Sequence, residues 1–207
     1  MGVNSNKDGG AIVSAARNLY EKMYTYRMYC EMDDDGVRYE IIDGVPYMMA
    51  APSRQHQKVL GEVYLKLGNF LQGKKCEVYL APFDVRLAIY GEVGDDVINV
   101  VQPDVMVFCD SSKLDDKGAI AAPDIAIEIL SPSSAKNDRY RKFNLYEKAG
   151  VREYWIVDVA HESVEVFVSN NGKFMLSAFF QNDDVVTSTV LEDLEIKVSD
   201  VFARPFS

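Results

Sequence analysis

Two acids stand where acids are costly. Asp104 follows Pro103 in the apolar run INVVQPDVMVFCD, and Glu128 stands among Ile125, Ile127 and Ile129 in DIAIEIL. A carboxylate inside such a run must be paired, hydrogen-bonded or metal-bound. A single loop, SSKLDDKGAIAAP, joins the two runs, so they are expected as neighbouring strands. Lys142 follows in the basic segment DRYRK. Two carboxylates and a lysine could hold a divalent metal at a phosphodiester. The lysine would orient an attacking water and offset charge developing at phosphorus. The competing arrangement pairs one acid with Arg or Lys and turns the other to solvent. It also leaves Lys136, Arg139, Arg141 and Lys142 as a solvated helix face. Asp138 and Lys142, four residues apart, can pair along one face. Ser131 ends the Glu128 run and is expected at the mouth of the site. Tyr154 and Trp155 read as core residues.

The elements that must hold these residues are legible as patterns. In 124–130, Ile125, Ile127 and Ile129 alternate with Asp124, Ala126, Glu128 and Leu130, so Glu128 shares a face with the second set. The segment AKNDRYRKFNLYEKAG predicts a helix of about four turns ending at Gly150, with Phe143 and Tyr146 toward the core. EYWIVD predicts a buried strand. VRYEIIDGVPYMMAAP predicts a hairpin across Asp43-Gly44, with Glu40 in its first strand. Ser53 is the expected cap of a helix that stops near Gly73, with Val59, Leu60, Val63, Leu67, Phe70 and Leu71 at helical spacing. His56 lies in its first turn, either partly buried or facing a site. CEVYLAPFDVRLAI reads as one bent strand or two around Pro82, and INVVQPDVMVFCD as one strand. Asn171-Gly172 predicts a second hairpin. Residues 1–10 read as a leader, and 11–30 as a helix through Ile12, Ala16, Leu19, Met23 and Tyr26. The sum is an α+β domain with a mixed sheet and a C-terminal β-meander.

Composition limits the function. The chain has 207 residues, enough for one domain with a sizeable core. No apolar run approaches the ~20 residues of a membrane span, and a cytoplasmic protein is expected. The three cysteines, Cys30, Cys76 and Cys109, have no CxxC spacing and are expected as reduced thiols, the latter two buried. Two histidines exclude a His-rich zinc site. The net charge of −10 argues against coating nucleic acid through a basic surface. A bound metal would reverse the sign locally. No Gly-rich phosphate loop, GxSxG or HExxH occurs.

The segments YEIIDG (39–44), PSRQHQ with His56, PDV (103–105), IEILSPS (127–133), DRYRK (138–142) and LYEKAGVREYWIVD (145–158) carry a resemblance. In order and spacing they resemble the Uma-type family of restriction-endonuclease-like proteins, within the PD-(D/E)XK nuclease superfamily. The resemblance covers residues 22 to about 168. Residues 1–21 lie outside it as an extension to a domain over 22–207. It implies a restriction-endonuclease-like mixed sheet flanked by helices and a Mg²⁺-dependent endonuclease acting on DNA, with Mn²⁺ able to substitute. Asp104 and Glu128 would be the metal-binding acids, joined in catalysis by Lys142 and Glu40. Glu40 matches an upstream acid expected at the metal or its water, and His56 matches a helix-start histidine. The superfamily's usual motif has lysine two residues after the glutamate. This chain has Leu130 there, and the family's lysine on the next helix maps to Lys142. DNA is the expected partner, weakly held without metal. A homodimer is expected because double-strand cleavage by a one-site nuclease needs two copies. A catalytically inactive binding or dimerisation module of the same fold is the competing reading, favoured by Leu130 and the negative charge.

Overall fold

The structure is a computed structural model that describes residues 23–32, 36–131 and 137–202. The expected leader, most of the expected first helix and the Pro132-Ser133 punctuation lie outside these residues. The described helices are α1 (Tyr26–Cys30), α2 (Arg54–Leu71), α3 (Phe143–Ala149) and α4 (Val198–Phe202). The strands are β1 (Tyr39–Ile42), β2 (Val45–Met48), β3 (Glu77–Leu80), β4 (Val85–Arg86), β5 (Val100–Val101), β6 (Val105–Phe108) and β7 (Leu114–Asp115). They continue with β8 (Gly118–Ala119), β9 (Ile125–Leu130), β10 (Glu153–Asp158), β11 (Ser163–Asn170), β12 (Lys173–Gln181), β13 (Val185–Val186) and β14 (Ile196–Lys197).

Two mixed sheets carry the architecture. One has the order β12-β11-β10-β9-β6-β3, the other β2-β1-β5-β4-β8-β7, and β13 pairs with β14 separately. β9 runs parallel to β10 and antiparallel to β6. This is the α+β, restriction-endonuclease-like fold expected, with the β10-β11-β12 meander near its C-terminal end. Asp43-Gly44 and Asn171-Gly172 both have positive φ at the two turn positions, the backbone a two-residue hairpin requires.

One expectation needs correction. The run 98–110 is two strands, because the chain changes sheets at Gln102-Pro103-Asp104. Pro103 lacks the N–H a continuous ladder needs. The run 76–89 also divides, β3 entering one sheet and β4 the other. The two changeovers touch, with the Ala81 N–H donating to the Asp104 carbonyl at 3.2 Å. The loop 111–123 likewise contains the short strands β7 and β8.

β9 is buried on both faces. Ile125, Ile127 and Ile129 pack in one cluster with Val59, Leu60, Val63 and Leu67 of α2. Ala126 and Leu130 pack on the opposite side with Leu145, Tyr146 and Tyr154. Glu128 therefore lies beneath α3. Ser53 caps α2 by accepting the His56 N–H at 3.1 Å. Leu67 is fully buried between α2 and the sheet. Leu67→Ala is expected to lower unfolding free energy by about 2–5 kcal/mol, measured by urea denaturation.

The cysteine expectation also fails. Cys76 and Cys109 form a disulfide, while Cys30 is free and exposed. The reason is register: Glu77 pairs with Phe108 across β3 and β6, so the next positions outward oppose each other. Spacing along the chain does not reveal such a meeting.

α3 is pinned to the meander through Glu147. Its carboxylate accepts from Lys173 Nζ at 2.8 Å and from the Phe174 N–H at 2.7 Å. These contacts hold its pKa below the ordinary 4.5. A lowered folded-state pKa contributes stability above the unfolded value, and this is lost as pH falls through the folded value. The stability gap between wild type and Glu147→Gln is therefore expected at pH 6 to 7, closing as pH falls below about 4.3. Denaturant titrations across that range measure it.

Candidate active site

The site lies where the two sheets meet. Glu40 comes from β1, Asp104 from the residue before β6, Glu128 from β9, and Lys142 from the turn leading into α3. Residues Asn137–Lys142 form a wide, π-type helical turn before the α-helix proper. Such turns add a residue to the helix and recur at functional positions. His56 enters from the first turn of α2. All five residues line one cavity of about 150 Å³, together with Asp138 and Ser131.

Lys142 is the hub. Its side chain is 5% exposed, and its ammonium lies 2.8 Å from Glu40 Oε1 and 2.9 Å from Glu128 Oε1. Asp138 Oδ1 is 3.8 Å away, one helical turn back. The solvated-face arrangement thus fails for Lys142. It holds for Arg139, whose guanidinium donates to Glu165 at the exposed surface. Burial alone would favour a neutral lysine. The surrounding Glu128, Glu40 and Asp138 more than offset it and hold Lys142 well above the ordinary lysine range.

Glu128 is the deepest acid, its side chain 3% exposed. Its Oε1 also accepts from the Tyr146 hydroxyl at 2.7 Å. Burial pushes its pKa well up, Lys142 pulls it down, and Asp138, Asp104 and Glu40 push it up again. Several carboxyls around one ammonium cannot all ionise at ordinary cost, and the most buried one resists most.

Asp104 is closer to solvent, its side chain 17% exposed. Its Oδ2 accepts the Ile129 N–H at 2.8 Å, which ties it to the Glu128 strand. His56 Nε2 stands 3.2 Å from the same oxygen. Burial opposes protonation of His56, but the Asp104 carboxylate prevails and raises its pKa above the ordinary value. Glu40 accepts the Gln102 N–H at 2.8 Å, so the sheet changeover also orients this acid.

The site-facing alternative for His56 is therefore the one found, and Ser131 is among the cavity's lining residues. The sequence reading assigned Tyr146 to the core alone. Its hydroxyl is in the site, and its position four residues after Lys142 was the available signal. Gln102 was missed: it lines the cavity, its N–H donating to Glu40 and its side-chain amide to Asp84. Asp124 shares the Glu128 face but plays a different part. It accepts from the Cys109 N–H at 2.8 Å and pairs with Arg152 at 3.2 Å, remote from the cavity residues.

Chemically, the donor set suits a hard divalent cation, which takes carboxylate and carbonyl oxygens. The negative surplus at Glu40, Asp104, Glu128 and Asp138 is offset in the cavity by Lys142, by the His56 imidazole and by Arg38 at the exposed rim. A cation beside Asp104 and Glu128 would relieve the remainder. Among the described residues, no three Asp, Glu, His or Cys side chains already stand grouped as a metal-holding set. The Lys142 ammonium occupies the Glu128 oxygen instead.

A mixed sheet flanked by helices, with two acids on neighbouring strand ends and a lysine folded back over them, defines a restriction-endonuclease-like protein. The chain belongs to the Uma2 family, described as "Putative restriction endonuclease", whose sequence pattern matches residues 21–199. An uncharacterized protein of Synechocystis sp. is 26% identical over 148 residues, covering 71% of this chain and 74% of that one. A solved structure from Anabaena variabilis, titled as a "putative nuclease belonging to DUF820", matches with a TM-score of 0.69 at 19% identity. It covers 86% of this chain and 97% of the other, and at that identity the likeness concerns the fold. No described helix is long and apolar enough to cross a membrane.

Proposed function

We propose that this protein is a divalent-metal-dependent endonuclease that hydrolyses DNA phosphodiester bonds. Mg²⁺ is the proposed resident ion, with Mn²⁺ able to replace it. The observation that carries the reading is Lys142. Leu130 takes the superfamily's usual lysine position, yet a lysine from the next helix reaches Glu128 at 2.9 Å. Asp104 and Glu128 would hold the ion, with the residue 129 carbonyl as a further oxygen. Bound metal supplies Lewis-acid stabilisation of the phosphoryl oxygens and a more acidic water. Lys142 orients that water and offsets charge developing at phosphorus. Glu40 holds Lys142 and accepts hydrogen bonds from outer waters. His56 steadies Asp104 through their shared contact, and Tyr146 steadies Glu128. Ser131 lies at the entrance on the strand's end.

Plasmid nicking in Mg²⁺ or Mn²⁺ tests this reading, with Glu128→Ala and Lys142→Ala as controls. Metal-dependent cleavage lost in both variants is expected. Absence of cleavage on single-stranded, double-stranded and branched DNA overturns it, as does cleavage indifferent to either substitution. A homodimer belongs to the proposal, since a one-site enzyme cutting both strands needs two copies. Sedimentation velocity checks it.

One observation favours a second reading, a catalytically inactive module for binding or dimerisation. Lys142 is sealed between two carboxylates and nearly inaccessible. Calorimetric titration with Mn²⁺ separates the two. The enzyme binds it in an Asp104-dependent manner, and the inactive module does not.

A further inference from the structure

A second cavity, of about 410 Å³, lies beside the acidic one. It runs between the β1–β2 hairpin and the outer side of the turn and helix that deliver Lys142. Tyr47, Tyr140, Arg141 and Lys148 line it, and Tyr47 also lines the acidic cavity, so the two adjoin at that ring. Arg141 stacks over the Tyr47 ring, its guanidinium carbon 4.5 Å from the ring centroid. Tyr140 is 70% exposed, a large aromatic ring presented to solvent. Lys148 is exposed two helical turns further on. Asp43 is the groove's acid, and its Oδ1 accepts the Tyr90 hydroxyl at 2.8 Å. Among the described residues, two cations and one acid line this groove, on a chain of net charge −10.

We infer that this groove is a binding track for a single-stranded segment of nucleic acid entering or leaving the acidic cavity. The inference rests on the nuclease reading for the identity of the site it feeds. Its support is the interleaving of aromatic faces with cations. Phosphates seek Arg141 and Lys148, while unpaired bases stack on Tyr140 and on the Tyr47–Arg141 pair. Paired bases in a duplex have no open face for such rings, so an unpaired strand is the occupant that uses every feature of the groove. The outer side of the Lys142 turn thus binds the strand, while its inner side faces the acids.

Fluorescence anisotropy with a labelled oligothymidylate, on the full chain in EDTA, reads binding without cleavage. Tyr140→Ala is expected to weaken binding by about tenfold, in line with the loss of one base-stacking ring. Lys148→Glu is expected to weaken it and to flatten its salt dependence by about one counterion. Both positions are exposed, and circular dichroism confirms that the variants fold. A duplex of the same length should bind more weakly than the single strand. Wild-type affinity in both variants overturns the inference, as does failure of the wild type to bind the oligonucleotide at low salt. Lost binding in the variants without any nicking activity in the wild type keeps the track and overturns the nuclease reading. Nicking by a wild type whose track variants bind unchanged does the reverse.

Discussion

Lys142→Met is expected to destabilise the fold by about 3–5 kcal/mol, the cost of leaving buried charge uncompensated. The methionine keeps the chain's volume but removes the ammonium that Glu40 and Glu128 share. The ammonium near Asp138, one helical turn away, is lost as well. Urea denaturation measures the loss. Adding Glu128→Gln to the variant should recover part of it, because the deepest acid is then neutral. If the double variant is no more stable than Lys142→Met, the charge account is wrong and packing dominates. Restored stability should not restore cleavage, since under the proposed mechanism Lys142 acts at the attacking water. Its removal is expected to cost about 10²–10³-fold in rate.

Asp104→Ala is the second large effect. Changes in the outer shell of a metal site commonly cost about 10–100-fold in affinity or activity. Loss of a ligand itself should exceed that range in a Mn²⁺ titration. The same substitution strips the Ile129 N–H and the His56 imidazole of their shared acceptor. Asp104→Asn separates these consequences: it keeps an acceptor oxygen for Ile129 but lacks the charge for metal. A variant that folds like wild type and fails to bind Mn²⁺ supports ligation by Asp104. Unchanged Mn²⁺ affinity in Asp104→Asn removes it from the ligand set.

The sequence made some of this legible because local rules decide it. Alternation put Glu128 opposite the three isoleucines, and these pack on α2 while Ala126 and Leu130 pack on the other side. Gly150 ends α3 with a left-handed backbone, as its position after a helical pattern implied. The site residues Glu40, His56, Asp104, Glu128, Ser131 and Lys142 line one cavity, and the route to most of them was the family's spacing. What failed was non-local. Nothing within INVVQPDVMVFCD tells that its halves join different sheets, although Pro103 marks the weak point. The bond between Cys76 and Cys109 depends on register between strands separated by more than twenty residues of chain. Tyr146 read as apolar bulk because burial and hydrogen bonding to Glu128 use opposite ends of the same side chain.

The paired changeovers at Ala81 and Asp104 have a mechanical consequence. Glu40 belongs to one sheet and Glu128 to the other, with Lys142 bridging them. The Ala81–Asp104 backbone bond lies at the seam. The spacing of the acids is therefore a gauge of how the two sheets are seated. A rotation of one sheet against the other, too small to disturb either core, would be read out directly as a change in the grip on Lys142.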